Sequence, residues 1–345
     1  MSHTRRSVLA SLGAGALTAG CLSVPGSSGG TESVSLLLNW TPNGLHVPYY
    51  AAKEQGFYED EGISLSEITG SDGSDYAARQ AGLGNTEFAV TSSDQVLLTT
   101  GGDVDVTSIG AMMQQSPNVV FATRESMDEP LEEPEQLAGE RVGTGPGMVR
   151  MLTELYLEAV GVREDVELVD AGYSTVQRLL EGEFAAAGGV FGDAIDAAHQ
   201  DATVDSLRVA EEVPAYGHVL AASPSYAESN PETTRAFLRA TARGAAWATN
   251  DPEGGVDALV ANNESLSEVR EQARETWETM AEGHVTSPAV EEQGWGWQES
   301  DPWTTIATAL RDADSGEVAS PDSVWTNDYL DTGSAAIGEY DERVS

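Results

Sequence analysis

A unit made of a helix, a glycine turn and a short buried strand occurs twice in the chain and strongly constrains its fold. SDYAARQAGLGNTEFAVTSSDQ contains a predicted strand at 88–91, and STVQRLLEGEFAAAGGVFGDA contains one at 184–190. A polar loop follows each strand, carrying Asp94 in the first unit and Asp193 in the second. Ligands of open α/β sheets bind outside the carboxyl ends of the strands. The repetition therefore predicts two similar lobes facing one cleft, with both aspartates at that cleft.

Short apolar runs alternate with amphipathic helical stretches along the rest of the chain. SVSLLLNW and ISLSEI are typical of strands, and HVPYYAAKEQGFY between them predicts a helix with Pro48 in its first turn and a stop at Gly56. SNPETTRAFLRATARGAAWATN predicts a long helix that begins after Asn230 and stops at Asp251 and Pro252. This alternation predicts the α/β fold class with largely parallel sheets.

The first 21 residues have the pattern of a targeting segment and are excluded from the fold prediction. Arg5 and Arg6 precede an apolar run at 8–19 that is too short to span a membrane stably. The segment resembles a twin-arginine export signal. Its end, LTAGC, resembles a lipobox in which Thr18 replaces the usual aliphatic residue.

The only cysteine of the sequence, Cys21, falls directly after this apolar run. A single cysteine excludes an internal disulfide and a CxxC metal site. We expect Cys21 to be lipidated, because a two-chain lipid anchor holds a protein stably at a membrane surface. Residues 22–32 have the Gly/Ser-rich composition of a flexible tether. The sequence thus predicts a globular body held outside the cell membrane.

The charge balance is strongly acidic. The sequence contains 57 acidic and 17 basic residues, for a formal net charge of −40, and Lys53 is its only lysine. This balance excludes a nucleic-acid-binding surface, which needs a positive face. A hydrophobic content of 40% argues against disorder. An acidic, hydrated surface suits surroundings of very high salt, where screening weakens self-repulsion, so we expect a halophilic protein.

Catalytic and cofactor templates match poorly. The sequence has no HExxH or P-loop pattern, and its histidines are widely scattered. We therefore predict no catalytic residues, no metal and no cofactor. The run VGTGPG, at Gly143, Gly145 and Gly147, has GxGxG spacing rather than the GxGxxG of dinucleotide sites. It favours a ligand-facing loop, in which backbone N–H groups can hold a polar group.

Aromatic residues are few, and several cluster near the predicted end of the first strand. Trp40, His46 and Tyr49 fall within NWTPNGLHVPYY, where planar side chains could stack on a flat heterocycle. Half-buried packing residues would give the same pattern. Tyr216 and His218, in VPAYGHVLAAS beside a predicted return crossing between lobes, leave the same two interpretations open.

The segment LLLNWTPNGLHVPYYAAKEQGFYEDEGISL resembles the opening of the ABC-importer solute-binding proteins for thiamine-pyrimidine precursors. GNTEFAVTSSDQ, VTSIGAMMQQSPNVVFA, LAGERVGTGPG and VPAYGHVLAAS follow in the order expected for that family. The resemblance implies a type II periplasmic-binding-protein fold, with two α/β lobes joined by two crossing segments and a ligand cleft between them. It assigns 33–122 plus 222–332 to lobe 1 and 123–221 to lobe 2, and leaves 333–345 as a polar tail.

The resemblance also implies a set of ligand-binding residues. Trp40 would stack on a pyrimidine, Asn43 and His46 would contact its polar edge, and an acid in the first-lobe loop can pair with an aminopyrimidine. Phe191 and Asp193 stand where the family often has an aromatic-Gly-aromatic element, which leaves the exact ligand open. The full implied set is Trp40, Asn43, His46, Tyr49, Asp94, Gln95, Gln114, Ser116, Asn118, Gly143, Thr144, Gly145, Phe191 and Asp193, with Tyr216 as a further candidate.

The leading hypothesis is a monomeric, lipid-anchored binding protein that delivers a pyrimidine-type thiamine precursor to an ABC permease and its ATPase. A binder of riboflavin, a sulfonate such as taurine, or nitrate is the alternative. Anionic ligands favour an arginine in the cleft, and the candidates are Arg79, Arg124, Arg141 and Arg150. A related branch of the fold makes the pyrimidine from pyridoxal phosphate with a lysine and a histidine. The absence of any cysteine after Cys21, and the export signal, argue against that enzyme.

Overall fold

The computed structural model describes residues 32–127 and 129–344. The predicted export signal, the lipidation site Cys21 and residues 22–31 of the predicted tether lie outside the described residues. Within the described part, no helix combines the length and apolar character needed to cross a membrane.

The described residues form two five-stranded sheets. The first sheet has the order β2-β1-β3-β10-β4, and its strands are β1 (Glu32–Leu37), β2 (Ile63–Thr69), β3 (Phe88–Ser92), β4 (Thr107–Ala111) and β10 (His218–Ala222). The second sheet has the order β7-β6-β8-β5-β9, and its strands are β5 (Asn118–Thr123), β6 (Arg141–Thr144), β7 (Glu167–Asp170), β8 (Ala186–Val190) and β9 (Val204–Arg208).

The two sheets are built on the same plan. β1 is parallel to β2 and β3, and β6 is parallel to β7 and β8. In each sheet one strand runs antiparallel between two neighbours, β10 between β3 and β4, and β5 between β8 and β9. The predicted α/β class with largely parallel sheets is therefore confirmed, with one antiparallel strand inserted into each sheet.

Helices cover both sheets. The longer ones include α1 (Val47–Glu54), α3 (Ser74–Gly82), α4 (Ser93–Gly101), α5 (Met148–Ala159), α7 (Phe191–His199), α9 (Pro231–Asn250), α10 (Pro252–Asn262), α11 (Arg270–Gly283) and α13 (Ser300–Asp312). The short ones are α2 (Phe57–Asp60), α6 (Thr175–Leu180), α8 (Pro224–Ser229), α12 (Pro288–Gln293), α14 (Ala335–Gly338) and α15 (Tyr340–Arg343). Single 3₁₀ turns include Gly44–His46, directly before α1.

Proline and glycine residues mark the beginnings and ends of helices as predicted. Pro48 lies in the first turn of α1, and Gly56, with φ of 71°, follows that helix in the left-handed region that favours glycine. α9 begins at Pro231 after Asn230 and ends before Asp251, also as predicted. α1 packs so closely on α9 that a side chain at Gly244 would collide with the backbone oxygen of Pro48.

The two sheets are joined by two crossing segments, residues 112–117 and 209–217. The segments are hydrogen-bonded to each other and to β10, since the amide of Met113 donates to His218 O at 2.9 Å and the amide of Gly217 to Met113 O at 3.3 Å. The boundary predicted at 122 is wrong, because β5 pairs with β8 and β9 and so belongs to the second lobe. The boundary predicted at 221 is wrong for the converse reason, since β10 pairs with β3 and β4.

The predicted polar tail at 333–345 is also contradicted over its described part. α14 and α15 form there, and Ile337 and Tyr340 are buried in the core of the first lobe. The backbone oxygen of Ile337 accepts a hydrogen bond from the amide of Trp295 at 2.9 Å. The sequence prediction missed this packing because the two buried residues, Ile337 and Tyr340, lie among acidic neighbours.

Candidate functional site

The carboxyl ends of the parallel strands form the edge of each sheet that the sequence analysis assigned to the ligand. The antiparallel strands begin at these edges, because His218 of β10 pairs with Ser92 of β3, and Asn118 of β5 pairs with Val190 of β8. The crossing segments run between the edges. Side chains that follow β1, β3, β6 and β8, or that begin β5 and β10, are thus gathered at one region of the molecule.

Trp40 lies three residues after the end of β1 and keeps 45% of its surface exposed. An indole exposed to this extent beside a buried strand end offers a flat apolar face. Asn39 directly precedes it and is hydrogen-bonded through its side chain to His46, His218 and Ser74.

Two buried histidines share Asn39, the residue that precedes Trp40. Nε2 of His46 is 3.0 Å from Oδ1 of Asn39, and Nε2 of His218 is 3.0 Å from Nδ2 of Asn39. The two imidazole rings stack with centroids 5.7 Å apart. Burial, assisted by the proximity of His218, lowers the pKa of His46 well below its ordinary value, and burial lowers the pKa of His218 to about 4. Both rings are therefore neutral near pH 7.

Asp94 occupies the first turn of α4, directly after β3, and is 1% exposed. Its Oδ2 accepts a hydrogen bond from Nε2 of Gln95 at 2.7 Å, while its Oδ1 is buried without a partner among the described residues. Burial raises the pKa of Asp94, and the nearby Ser92 hydroxyl and Gln95 offset part of this effect. A buried, unpaired carboxylate oxygen is costly unless something binds it, so Asp94 is poised to accept a hydrogen bond from a ligand.

The second lobe contributes two more buried polar groups at its own edge. Oδ1 of Asn118 accepts from the Ser116 hydroxyl at 2.8 Å, while its Nδ2 is a buried donor without a partner among the described residues. Thr144, the last residue of β6, is fully buried, and its hydroxyl also has no partner within the described chain. Unpaired groups of both lobes thus lie at the edges that the crossing segments connect.

Two glycines among the second-lobe candidates lie at positions with little room for a side chain. Gly143 is required for packing, because a side chain there would collide with the ring of Phe184. Gly145 lies against the loop after β7, with its would-be Cβ 3.3 Å from Gly172 O.

The two residues that replace the family's aromatic-Gly-aromatic element are engaged within the protein. Phe191 stacks on His284 with ring centroids 4.8 Å apart. Oδ2 of Asp193 accepts from the amide of Val190 at 2.8 Å, so this carboxylate caps α7. Burial raises the pKa of Asp193, and the hydrogen bond from the Val190 amide opposes that shift.

Three first-lobe candidates are placed behind the edge. Oδ1 of Asn43 accepts from the amide of Leu45, and its Nδ2 donates to Thr41 O, so this side chain closes the turn before α1. His46 uses both ring nitrogens within the protein. Tyr49 is fully buried beneath His46, with the ring centroids 6.4 Å apart and its hydroxyl unpaired in the described structure. Asn43 and His46 thus make hydrogen bonds within the protein, and the ligand contacts implied for them stay predictions.

Gln114 and Tyr216 make contacts within the protein. Gln114 ties the crossing segment down, since its Nε2 donates to Trp297 O and its Oε1 accepts from the Ser287 hydroxyl. The ring of Tyr216 packs against Trp303, and its hydroxyl accepts from the amide of Glu299 at 2.6 Å. Of the two interpretations left open for Tyr216, the structure favours packing.

Two of the four basic candidates lie apart from the site. Arg124 follows β5 and Arg141 begins β6, which places both at the opposite ends of the strands, where they pair with Asp205 and Glu167. Arg150 pairs with Glu154 within α5, and Arg79 is exposed on α3. Lys53 lies in the last turn of α1, seven residues after His46 and thus about 10 Å further along the helix axis.

Another arginine, Arg208, lies at the candidate edge of the second sheet. Arg208 is the last residue of β9 and pairs in register with Val119. Its Nη2 donates to Gln115 Oε1 at 3.1 Å and to Gly283 O at 2.9 Å. Both acceptors are uncharged, so the positive charge of this guanidinium lies beside the crossing segments.

Sequence reasoning missed Asn39 and left His218 out of the site. Asn39 is a small polar residue at a strand end, a position typical of turns, and only the distances reveal that it connects two histidines. The sequence signal for His218 was its position at the start of a buried strand. Its pairing with Ser92, the last residue of β3, places it at the candidate edge of the first sheet.

Neither a metal site nor a surface depression marks the candidate edges in the described part of the chain. No group of three or more His, Cys, Asp or Glu side chains there is arranged to hold a metal ion. Two surface depressions, one beside Asp103 and Ser223 and the other beside Thr123 and Gly182, lie at the strand ends opposite the candidate edges. We therefore assign the site from the unpaired buried groups rather than from these depressions.

This architecture, two sheets joined by two crossing segments, is the type II periplasmic-binding-protein fold. The structure is similar to that of the periplasmic aliphatic sulphonate binding protein SsuA from Escherichia coli, with a TM-score of 0.68, 12% sequence identity and coverage of 86% of this chain and 92% of that one. It is also similar to the periplasmic nitrate-binding protein NrtA from Synechocystis PCC 6803, with a TM-score of 0.60, 12% identity and 91% coverage of each chain. The fold implied by the sequence resemblance is confirmed.

The chain belongs to the family described as NMT1/THI5 like, whose profile matches residues 43–254. It is 26% identical to the formylaminopyrimidine-binding protein of Halalkalibacterium halodurans over 258 residues, 70% of this chain and 76% of that protein. It is 27% identical to a 4-amino-5-hydroxymethyl-2-methylpyrimidine phosphate synthase of Legionella pneumophila over 239 residues, 66% of this chain and 72% of that protein. It is 26% identical to the riboflavin-binding protein RibY of Chloroflexus aurantiacus over 318 residues, 88% of this chain and 87% of that protein.

Proposed function

We propose that this protein is the solute-binding component of an ABC importer and that it captures an aminopyrimidine precursor of thiamine in the cleft between its two lobes. The observation that carries the proposal is Oδ1 of the 1% exposed Asp94 side chain, which has no partner among the described residues and lies at the edge of the first sheet together with the half-exposed ring of Trp40. A carboxylate acceptor suits an exocyclic amino group, and an indole face suits a planar ring.

The second lobe supplies the groups that would meet the other side of such a ligand. Asn118 offers a buried amide donor and Thr144 a buried hydroxyl, and neither has a partner in the described structure. Hinge closure in proteins of this fold brings two lobes together around a small ligand. Closure is favourable here because the ligand satisfies buried polar groups that are costly to leave unpaired.

Riboflavin is the second candidate ligand. The similarity to RibY extends over 88% of this chain, more than the 70% matched to the formylaminopyrimidine-binding protein. Riboflavin is also a planar heterocycle that Trp40 could stack on. It is much larger than a pyrimidine, so the same titration separates the two ligands.

Binding rather than catalysis is supported by the position of the only lysine. Lys53 lies at the far end of α1 from the gathered residues, so it is poorly placed to hold pyridoxal phosphate there. We further propose that the protein acts as a monomer outside the cell, exported by the twin-arginine route, anchored through lipidated Cys21 and partnered by a permease and its ATPase. A mass shift of the mature protein that disappears in Cys21→Ser would test the anchor.

Isothermal titration of the purified protein at high salt tests the ligand. The panel contains 4-amino-5-hydroxymethyl-2-methylpyrimidine, formylaminopyrimidine, thiamine, riboflavin, taurine and nitrate. We expect one of the two aminopyrimidines to bind with micromolar affinity or better and taurine and nitrate to show no binding. Binding of riboflavin alone would shift the function to the second candidate. Binding of taurine or nitrate alone would contradict both and direct attention to Arg208.

A further inference from the structure

The proton positions of the two buried histidines follow from one backbone amide. The N–H of Asn43 donates to Nδ1 of His46 at 3.2 Å. A backbone amide nitrogen cannot accept, so Nδ1 of His46 carries no proton. The ring therefore holds its proton on Nε2, which donates to Oδ1 of Asn39 at 3.0 Å.

The orientation of Asn39 fixes His218 in turn. With Oδ1 of Asn39 accepting from His46, its Nδ2 faces Nε2 of His218 at 3.0 Å. A side-chain amide nitrogen only donates, so Nε2 of His218 must accept and is unprotonated. The proton of this neutral ring consequently resides on Nδ1.

The Nδ1–H of His218 has no hydrogen-bond acceptor among the described residues, although the residue is only 6% exposed. A buried donor without a partner is rare in folded proteins and calls for an explanation. His218 begins β10 and pairs with Ser92, two residues before Asp94, whose Oδ1 is likewise unpaired. A fixed donor and a fixed acceptor therefore lie at the same edge of the first sheet.

We infer that Nδ1 of His218 donates to the ligand and that His218 and Asp94 together recognise an amidine edge, a ring nitrogen acceptor adjacent to an amino donor. This inference rests on the proposed function and narrows its ligand class. A 4-aminopyrimidine carries that arrangement at N3 and its amino group. The corresponding 4-oxo pyrimidine reverses it, because the ring nitrogen then carries the hydrogen and the exocyclic atom is a carbonyl oxygen.

His46 and Asn39 act as positioning residues in this arrangement. They do not need to touch the ligand, since their hydrogen bonds hold His218 in the tautomer that presents Nδ1–H. A histidine free to change tautomer would accept from the 4-oxo pyrimidine as readily as it donates to the amino form. The network therefore serves selectivity between two ligands of the same shape.

Two substitutions separate a ligand-binding role of His218 from a structural one. In His218→Gln the amide oxygen can replace Nε2 and accept from Asn39, but no donor remains at Nδ1. In His218→Asn the amide nitrogen can replace the Nδ1 donor, but Asn39 loses its acceptor. Calorimetric titration of the wild type and both variants with 4-amino-5-hydroxymethyl-2-methylpyrimidine and its 4-oxo counterpart measures each effect, and thermal unfolding at the same salt verifies that each variant is folded.

We expect the wild type to bind the amino compound at least tenfold more tightly than the oxo compound. His218→Gln should weaken binding of the amino compound by about ten- to a hundredfold, while His218→Asn should stay within about fivefold of the wild type. Wild-type affinity in His218→Gln, or a larger loss in His218→Asn than in His218→Gln, would overturn the inference and leave the proposed function standing. Failure of the wild type to bind either aminopyrimidine of the panel would instead overturn the proposed function, and the inference with it.

Discussion

Asp94 and Asp193 hold equivalent places in the two lobes and use their carboxylates differently. Each lies in the first turn of a helix directly after a strand, β3 for Asp94 and β8 for Asp193. Asp193 accepts from the amide of Val190 and so completes its own helix start. Asp94 accepts through Oδ2 from the neighbouring Gln95, and its buried Oδ1 has no hydrogen-bond partner among the described residues. A position in a fold therefore does not define a role, and the hydrogen bonds that each carboxylate makes within the protein distinguish Asp94 from Asp193.

Exchange of each aspartate for alanine should give the largest contrast. Asp94→Ala removes a ligand contact made to a charged group, worth about 2 kcal/mol or roughly thirtyfold in affinity, with little loss of stability because the buried carboxylate is itself unfavourable. Asp193→Ala removes a helix cap and should lower the free energy of unfolding by about 1 kcal/mol. Calorimetric titration and denaturant unfolding of both variants measure the two effects. Equal losses of affinity in the two variants would remove the distinction.

Trp40 and Tyr216 offer a second contrast, between an exposed and a buried aromatic residue. Trp40→Ala should weaken binding of the aminopyrimidine by about 1–2 kcal/mol, the lower part of the range for stacking of a base on an aromatic ring, and leave the unfolding midpoint unchanged. Tyr216→Phe loses the hydrogen bond from Glu299 and should lower stability by about 1 kcal/mol without affecting binding. Titration with the same pyrimidine, alongside Lys53→Ala as a matched neutral control, compares them. Loss of binding in Lys53→Ala would revive the lysine-dependent alternative.

Acidification should distinguish the histidine network from Asp94. Burial lowers the pKa of His218 to about 4, below an unfolded value near 6.5, so the unfolded chain binds this proton first. The stability associated with neutral His218 is complete above pH 6.5 and is lost as pH falls toward 4. The raised pKa of Asp94 acts in the opposite direction, since a buried carboxyl favours the folded state when protonated.

Unfolding free energies measured between pH 7 and 4.5 should therefore fall for the wild type and fall less for His218→Gln, in which the titrating ring is absent. The difference should reach about 1–3 kcal/mol at the acid end, given that two pKa units correspond to about 2.7 kcal/mol. Parallel curves for the two proteins would mean that His218 is not held neutral by the fold.

Salt should raise the stability of the whole protein and leave the ratio of affinities of the two aspartate variants nearly unchanged. The formal net charge of −40 produces repulsion that salt screens, with a Debye length of about 10 Å at 0.1 M and about 3 Å at 1 M. We expect the unfolding midpoint to rise by several degrees between 0.2 and 3 M salt. The ratio of affinities of Asp94→Ala and Asp193→Ala should change by less than about threefold. A midpoint that is independent of salt would contradict the halophilic interpretation of the charge.

Much of the fold could be predicted from local signals in the sequence. Pro48, Gly56 and Pro231 constrain the backbone by themselves, so the ends of α1 and the start of α9 were predictable. The lobe boundaries were not, because the apolar residues of β5 would suit either sheet and only pairing with β8 assigns it. Burial of Ile337 was hidden by acidic neighbours that remain exposed on the same short segment.

The candidate site was predictable in position and only partly in composition. Trp40 and Asp94 follow strand ends, and the rule for ligand sites at such ends applies to both. The engagement of Asn43 and Gln114 within the protein depends on partners close in space, such as Trp297 for Gln114, which no local pattern reveals. The same holds for His218, because the tautomer of its ring is defined by a chain of hydrogen bonds that begins at the backbone of Asn43.

A crystal structure of the protein bound to 4-amino-5-hydroxymethyl-2-methylpyrimidine tests the central claim most directly. We predict that the ring lies against Trp40 between the carboxyl edges of the two sheets, with its amino nitrogen about 2.7–3.2 Å from Oδ1 of Asp94, the distance of an N–H···O hydrogen bond. A pyrimidine bound elsewhere on the molecule, or one whose amino group leaves Oδ1 of Asp94 unpaired, would contradict the account.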